Sequence, residues 1–241
     1  MENAVHLIDA AVVTSGVDIG REAPELWRLV RRFNLPVQLA LLAAHRVAAS
    51  ASDPSSAALV SIAPCRGGSP ELDRWLESAL PGSGRDFGAV PRMNPVLTLH
   101  VVDNLVLSGF AIYFGNRAYC LGLGGASGQA WSALEAVIEL LKDGGEHTEV
   151  MVMAGDWLVG RSDEGLGVAM LYSTRPGRYR LLEVLRREQT AEPAALAGDS
   201  CSGLVRWLDA LSSRERGPFD FVVPPEEGDP MDQVTVRSEI V

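Results

Sequence analysis

The sequence contains few cysteines and no long apolar run. Its three cysteines, Cys65, Cys120 and Cys201, are widely spaced and form no Cys-x-x-Cys pair, which favours free thiols over a disulfide scaffold or a zinc site. No segment approaches the roughly 18 uninterrupted apolar residues that cross a bilayer. The N-terminus has an acidic residue at Glu2 and no basic start, unlike a signal peptide. We therefore expect a soluble protein of the cytoplasm.

Basic residues are also in the minority. The chain has 21 Lys and Arg residues against 31 Asp and Glu residues, which gives a formal net charge of −10 at pH 7. Nucleic acids and anionic membranes are negatively charged, so an acidic surface offers them no counter-charge. This balance disfavours both as partners. An acidic protein partner would need a local basic patch.

The chain does have enough apolar sequence for one large core. Its 241 residues, 47% of them hydrophobic, predict one domain or two tightly fused layers. Residues 4–13 are predicted to be a strand, residues 23–33 a short helix and residues 35–51 a largely buried helix. The continuous apolar run 57–63 is typical of a strand in a parallel sheet that is covered on both faces. Together these segments predict a β-α-β unit.

The most closely spaced elements lie between Met93 and Trp157. Residues 103–114 predict a helix with Asp103 or Asn104 available near its N-terminus. Gly115 follows at the position where a left-handed cap is favoured.

A strand, a tight turn and a helix come next. Residues 118–125 predict a buried strand, and a long helix is predicted from about Gln129 to Lys142. This order has the geometry of a nucleophile elbow, in which one side chain is held out at a helix N-terminus. Ser127 lies at that corner. Because no histidine falls in a motif that would activate it, a small residue in a tight turn is the favoured interpretation.

These residues resemble the N-terminal half of the β-ketoacyl synthases, condensing enzymes with the thiolase fold. That family has an Asn/Ser-Pro pair, an Asn ten positions later, a glycine that closes the helix and a glycine at the end of the next helix. The matching residues here are Asn94, Pro95, Asn104, Gly115 and Gly144. The same count places Ser127 where the condensing cysteine stands in the family.

The resemblance covers residues 90–187 well and the first 60 residues loosely. Residues 148–156 resemble the family strand that ends in Gly-Gly-Asp/Glu. Residues 164–173 and 178–187 resemble the glycine-rich hairpin that closes this half.

Little of the family's second half remains. We predict a helix near residues 201–213 and strands near residues 219–223 and 233–237. The resemblance therefore implies an α/β, α-β-α layered, thiolase-like fold. Residues 1–190 would form the N-terminal half, and residues 191–241 a reduced C-terminal remnant packed on the same domain.

The family's catalytic groups do not carry over to this chain. Condensing enzymes use a cysteine thiolate and two histidines from the C-terminal half. Here Ser127 stands at the cysteine position and the four histidines all lie in the first 150 residues. The resemblance thus implies no catalysis by the chain alone. Gln129 is a minor candidate for the degenerate position, because chain-length-factor relatives carry Gln there, and the His100–Asp103 pair is interpreted as capping or solvated.

A ketosynthase half without its chemistry resembles the inactive chain-length factors of type II polyketide systems, and most closely the short ones of aryl-polyene pathways. The resemblance implies a heterodimer in which strand Ala118–Gly124 pairs with an active ketosynthase and helix Asn104–Phe114 presses on the acyl tunnel of that partner. Cys120 is interpreted as a packed thiol rather than a nucleophile. The interface and tunnel candidates are Leu97, Asn104, Phe110, Tyr113, Phe114 and Cys120.

Acyl carrier protein is the second implied partner. The pairs Arg31-Arg32 and Arg186-Arg187 either solvate the ends of elements or help to receive it. No metal or other cofactor is expected, because Gly67-Gly68 lacks the residues that complete a phosphate-binding loop. Two other hypotheses stay open: a small acyltransferase or hydrolase that uses Ser127 with His100, and a homodimeric pseudo-ketosynthase scaffold without a tunnel role.

Overall fold

The computed structural model describes residues 4–63, 74–75, 77, 104–124, 129–142, 146–158, 164–187, 200–213, 217–223 and 233–240. The strands are β1 (Val5–Thr14), β2 (Ala58–Ile62), β3 (Cys120–Leu123), β4 (Glu149–Trp157), β5 (Gly165–Ser173), β6 (Tyr179–Arg187), β7 (Gly217–Val223) and β8 (Gln233–Ile240). The helices are α1 (Ile19–Glu22), α2 (Pro24–Val30), α3 (Leu35–Ala48), α4 (Leu105–Phe114), α5 (Gln129–Lys142) and α6 (Ser200–Ser212). These elements form an α/β protein, as predicted.

One mixed sheet holds the eight strands in the order β3-β2-β4-β5-β1-β6-β8-β7. β2 is parallel to both β3 and β4, and the other neighbours are antiparallel. β1 is therefore parallel to β2, and β4 and β5 lie between the two strands. The β1-α3-β2 segment is therefore the predicted β-α-β unit, and all five residues of β2 are buried.

The predicted hairpin of residues 164–173 and 178–187 is wrong. β1 lies between β5 and β6, and it pairs with β6 only through Val5, His6 and Leu7. The short connection between β5 and β6 suggested direct pairing. β1, from the start of the chain, lies between them instead. The spacing of a local turn cannot predict pairing with a strand so distant in sequence.

Helices cover the two faces of the sheet. Alternate residues of the central strands point to opposite faces, as strand geometry requires. Met151 and Met153 of β4 pack with α3 and α4, whereas Val150 and Val152 pack with α5 and α6. Two apolar layers result, one on each side of the sheet, which is the predicted α-β-α arrangement.

The backbone of α3 lies directly on the centre of the sheet. Gly155 of β4 and Gly167 of β5 are opposite each other in the register. A Cβ at Gly155 would lie 2.3 Å from the carbonyl oxygen of Pro36, and one at Gly167 would lie 2.2 Å from the carbonyl carbon of Leu39. Only glycine allows this approach, so the pair fixes the depth at which α3 packs.

The C-terminal strands extend the same sheet, because β8 pairs with β6 and β7 pairs with β8. α6 packs beside α5 through the buried side chains of Trp131, Leu204 and Trp207. The division of the chain at residue 190 lies outside the described residues and stays a prediction.

Candidate functional site

β3 lies at one end of the sheet, and no strand of the described ranges pairs with its outer edge, which we call the open edge. Its neighbour β2 donates hydrogen bonds from the Leu59 and Ala63 N–H groups to the carbonyl oxygens of Tyr119 and Leu123, both at 2.8 Å. In a parallel ladder the peptide groups of alternate residues point to opposite edges. Those of Cys120 and Gly122 therefore point away from β2. Within the described ranges, β2 is the only strand that pairs with β3.

The exposure of β3 corrects the prediction of a buried strand. Its residues alternate between exposed and half-buried, with Cys120 and Gly122 exposed. Leu121 and Leu123 pack on the layer formed by α5 and α6. The apolar composition of the strand correctly indicated β-structure. It did not distinguish a central strand from an edge strand.

Asn104 lies against this edge instead of capping its helix. A Cβ at Gly122 would lie 2.0 Å from the Asn104 Oδ1 atom, so the amide rests on the β3 backbone. Asn104 occupies the N-cap position of α4 but makes no side-chain capping hydrogen bond there, and Asp103, the other residue offered for this end of the helix, lies outside the described residues. At the other end of α4, Gly115 has the predicted left-handed conformation, with φ of 66°.

One stripe of α4 is exposed beside the open edge. Asn104, Ser108 and Ile112 follow each other at intervals of four residues and therefore lie on one side of the helix. All three are exposed, and Ile112 is 69% exposed. Five residues beyond α4, the chain returns to β3 through Tyr119, which is 48% exposed. We call the set Asn104, Ser108, Ile112, Tyr119, Cys120 and Gly122 the edge face.

The aromatic residues of α4 turn towards α3. Phe110 is completely buried, and its ring centroid lies 4.5 Å from that of Phe114. Tyr113 and Phe114 are half-buried, with centroids 4.8 Å apart, and both rings contact the imidazole of His45. The structure thus places Phe110 in the core beneath the two half-buried rings. A tunnel role for these three residues stays a prediction.

The Cys120 thiol is exposed, which corrects its interpretation as a packed core residue. Partial burial raises the pKa of the thiol above its usual value. The thiolate is the nucleophilic form, and reactive cysteines have a lowered pKa. Cys120 is therefore poorly suited to nucleophilic attack, in agreement with the sequence interpretation. Its Sγ atom lies 3.4 Å from the carbonyl oxygen of Ala118, to which the thiol donates.

The other candidates lie close to the end of β3 or outside the described residues. Gln129 is the half-buried first residue of α5, as predicted. At the end of β4, Asp156 is buried, and its Oδ1 atom accepts a hydrogen bond from the Trp157 N–H at 2.8 Å. Ser127 and Leu97 lie outside the described residues, together with Asn94, Pro95, His100 and Asp103.

Sequence reasoning missed Ile112 and Tyr119. The i, i+4 spacing of Asn104, Ser108 and Ile112 was available as a signal, since it places Ile112 on the same side of the helix as two polar residues and so predicts its exposure. Among the described residues, no group of three or more His, Cys, Asp or Glu side chains is arranged to hold a metal ion. In the same part of the chain, no helix is long and apolar enough to cross a membrane.

No protein-family model and no curated protein sequence matches the chain. Solved structures do match. The chain is similar to one in the complex of the ketosynthase ApeO with its chain length factor ApeC from Xenorhabdus doucetiae, with a TM-score of 0.59 and 13% identity over 98% of this chain and 99% of that one.

Two further structures match with lower TM-scores. One is a complex of the type II polyketide synthase acyl carrier protein with its ketosynthase, AntDE:AntF, with a TM-score of 0.49 and 11% identity over 81% of this chain and 66% of that one. The other is the tetronic acid condensing enzyme AbyA1, with a TM-score of 0.43 and 18% identity over 96% of this chain and 66% of that one. The first match, which covers both chains almost completely, shows the fold. The chain therefore has the thiolase-like α/β fold of the ketosynthase structures, as its sequence resemblance implied.

Proposed function

We propose that the chain is a non-catalytic, chain-length-factor-like subunit that pairs with an active ketosynthase and shapes its acyl tunnel during polyketide or fatty-acyl elongation in the cytoplasm. The observation that carries the proposal is the outer edge of β3, which pairs with no strand within the described residues, together with the exposure of Ile112 on α4 and of Tyr119 next to β3. The fold shared with a chain of a ketosynthase and chain length factor complex supports it.

Two forces would hold the partner on the edge face. A strand of the ketosynthase would accept and donate hydrogen bonds at the outward peptide groups of Cys120 and Gly122, which fixes the register. Burial of the Ile112 and Tyr119 side chains would supply most of the affinity, because removal of apolar surface from water is the main favourable term in association. The acyl carrier protein would deliver acyl groups to the ketosynthase.

Proline at position 120 tests the strand pairing. The N–H of Cys120 points away from β2, so Cys120→Pro removes a donor to the partner and none from the β2 ladder. We expect the variant to fold and to lose at least about tenfold in affinity for the partner ketosynthase, measured by titration calorimetry. Equal affinity of the wild type and the variant would contradict strand pairing.

Ile112→Glu tests the apolar part of the edge face, with Val12→Glu as the matched control. Val12 is also an exposed apolar residue, 38% exposed, but it lies on β1. Burying a carboxylate at the interface should weaken binding by about 30-fold or more, whereas the control should bind like the wild type. Equal losses in the two variants would show that added charge, rather than this face, controls binding.

The alternative functions have their own readouts. Intact-mass measurement after incubation with acyl-loaded carrier protein should show no acyl group on the chain. Transfer of the acyl group from the carrier thioester to the Ser127 hydroxyl, with release of the carrier thiol, would support the acyltransferase or hydrolase hypothesis instead. Tyr113→Ala and Phe114→Ala should change the length of the products of the reconstituted complex. Unchanged lengths with an intact ketosynthase complex would favour the scaffold hypothesis.

A further inference from the structure

A second surface on the molecule has the opposite charge to the rest of the chain. It lies on α1 and α2, where Leu26 and Val30 are buried against α3 and the other side of α2 faces outwards. Trp27 is 37% exposed on that side. Four exposed arginines lie within six residues of it along the chain. We call the set Arg21, Trp27, Arg28, Arg31 and Arg32 the basic patch.

Two of the three acidic side chains of this region are paired with arginines, and the third, Asp18, caps α1 by accepting a hydrogen bond from the Arg21 backbone N–H at 3.0 Å. Glu22 accepts two hydrogen bonds from the Arg46 guanidinium, at 2.7 and 2.8 Å, and this contact lowers the pKa of Glu22. Glu25 accepts two from Arg28, both at 2.8 Å.

Three arginines of the patch keep their charge available. Within the described residues, the guanidinium groups of Arg21, Arg31 and Arg32 have no carboxylate partner. A cationic surface is therefore present on a chain whose formal net charge is −10.

This combination fits an acidic protein partner with a small apolar contact. Such a partner is repelled by most of the chain, so the field directs it to the basic patch. Arginine and tryptophan are the residue types that most often dominate binding energy at protein interfaces. The patch and the edge face share no residue, since the patch belongs to α1, α2 and the two arginines that follow α2, and the edge face to α4, β3 and Tyr119.

We propose that the basic patch docks the acyl carrier protein, an inference that rests on the proposed function. The ketosynthase would occupy the edge face and the carrier protein the patch, so that both partners bind the chain at the same time. Carboxylates of the carrier protein would face Arg31 and Arg32, and an apolar side chain would cover the Trp27 indole.

The test compares two double variants with equal changes of charge. Arg31→Glu/Arg32→Glu reverses the patch, and Arg178→Glu/Arg206→Glu reverses two exposed arginines on the β5–β6 connection and on α6. The probe is a type II acyl carrier protein, titrated at 50 and 300 mM NaCl. We expect the patch variant to bind at least about tenfold more weakly at low salt, and the control to stay within about threefold of the wild type. Added salt should weaken the wild type more than the patch variant.

Further readouts separate this proposal from the proposed function. Arg31→Lys/Arg32→Lys keeps the charge and should retain binding within about threefold. All variants should still form the ketosynthase complex on size-exclusion chromatography, which also shows that they fold. Equal carrier binding by the wild type and the patch variant, or equal losses in both charge-reversed variants, would overturn the docking site even if the ketosynthase complex forms. If the wild type forms no ketosynthase complex, the proposed function fails.

Discussion

The centre of the sheet and its β3 edge use glycine in two different ways. At the centre, Gly155 and Gly167 allow the backbone of α3 to rest on the strands. At the edge, Gly122 makes room for the side-chain amide of Asn104. A helix backbone cannot move without disturbing its whole layer, whereas an exposed side chain can rotate away. Glycine therefore determines the core packing in one region and the shape of a surface in the other.

Gly167→Ala should disrupt the packing of α3 on the centre of the sheet and should reduce stability more than any other change proposed here. The new methyl group would lie 2.2 Å from the Leu39 carbonyl carbon and 2.4 Å from the Ala40 nitrogen, both backbone atoms of α3. Because α3 must move as a unit, we expect the free energy of unfolding to fall by about 3 kcal/mol. Urea denaturation followed by circular dichroism measures this change. A loss below about 1 kcal/mol would show that α3 can shift without strain.

Gly122→Ala is the matched change at the edge and should affect binding more than stability. The three atoms nearest to its methyl group all belong to the Asn104 side chain, the closest at 2.0 Å, and that side chain is exposed and can turn. We expect a stability loss below about 1 kcal/mol. The displaced amide would occupy the edge face, so the affinity for the ketosynthase should fall several-fold.

Asn104→Ala provides the control for this change. Added to Gly122→Ala, it removes the displaced amide and should restore part of the lost affinity. If the double variant binds as weakly as Gly122→Ala alone, the methyl group itself, and not the displaced amide, blocks the edge.

Sequence reasoning was most accurate where local chemistry decides the outcome. The predicted bounds of α5 agree with the structure because a continuous amphipathic repeat defines them, and Gly115 has a positive φ because few other residues tolerate that conformation. The α-β-α layering followed from the apolar run 57–63 and from the family resemblance.

The errors concern contacts between distant segments. The open edge of β3 and the insertion of β1 between β5 and β6 depend on where strands pair, and apolar composition is the same for either arrangement. Asn104 was one of two residues offered for the N-terminus of α4, but its amide instead contacts Gly122 of a later strand. Exposure of Cys120 follows from the same open edge. Local patterns could not predict any of these contacts.

The smallest expected change is in the pH dependence of stability, and it concerns His6 on β1, inside the sheet. Burial lowers the pKa of His6, and the nearby charge of Arg180 adds to this, whereas a hydrogen bond with the Gly177 backbone opposes it. The unfolded chain, in which histidine titrates near pH 6.5, therefore takes up the proton first. Stability is complete above about pH 6.5 and decreases as the pH falls towards the folded pKa, by less than about 1.4 kcal/mol per pH unit.

Urea denaturation of the wild type and His6→Gln at pH 7 and pH 5 measures this contribution. The wild type should lose more free energy of unfolding between the two values than His6→Gln loses, because glutamine does not titrate. His147→Gln, at a half-buried histidine before β4, is the matched control for the loss of an imidazole. Equal losses in the wild type and His6→Gln would show that His6 accepts a proton in the sheet as readily as in water. The centre of the sheet would then tolerate a protonated imidazole at position 6, although it has no room for a methyl group at Gly167.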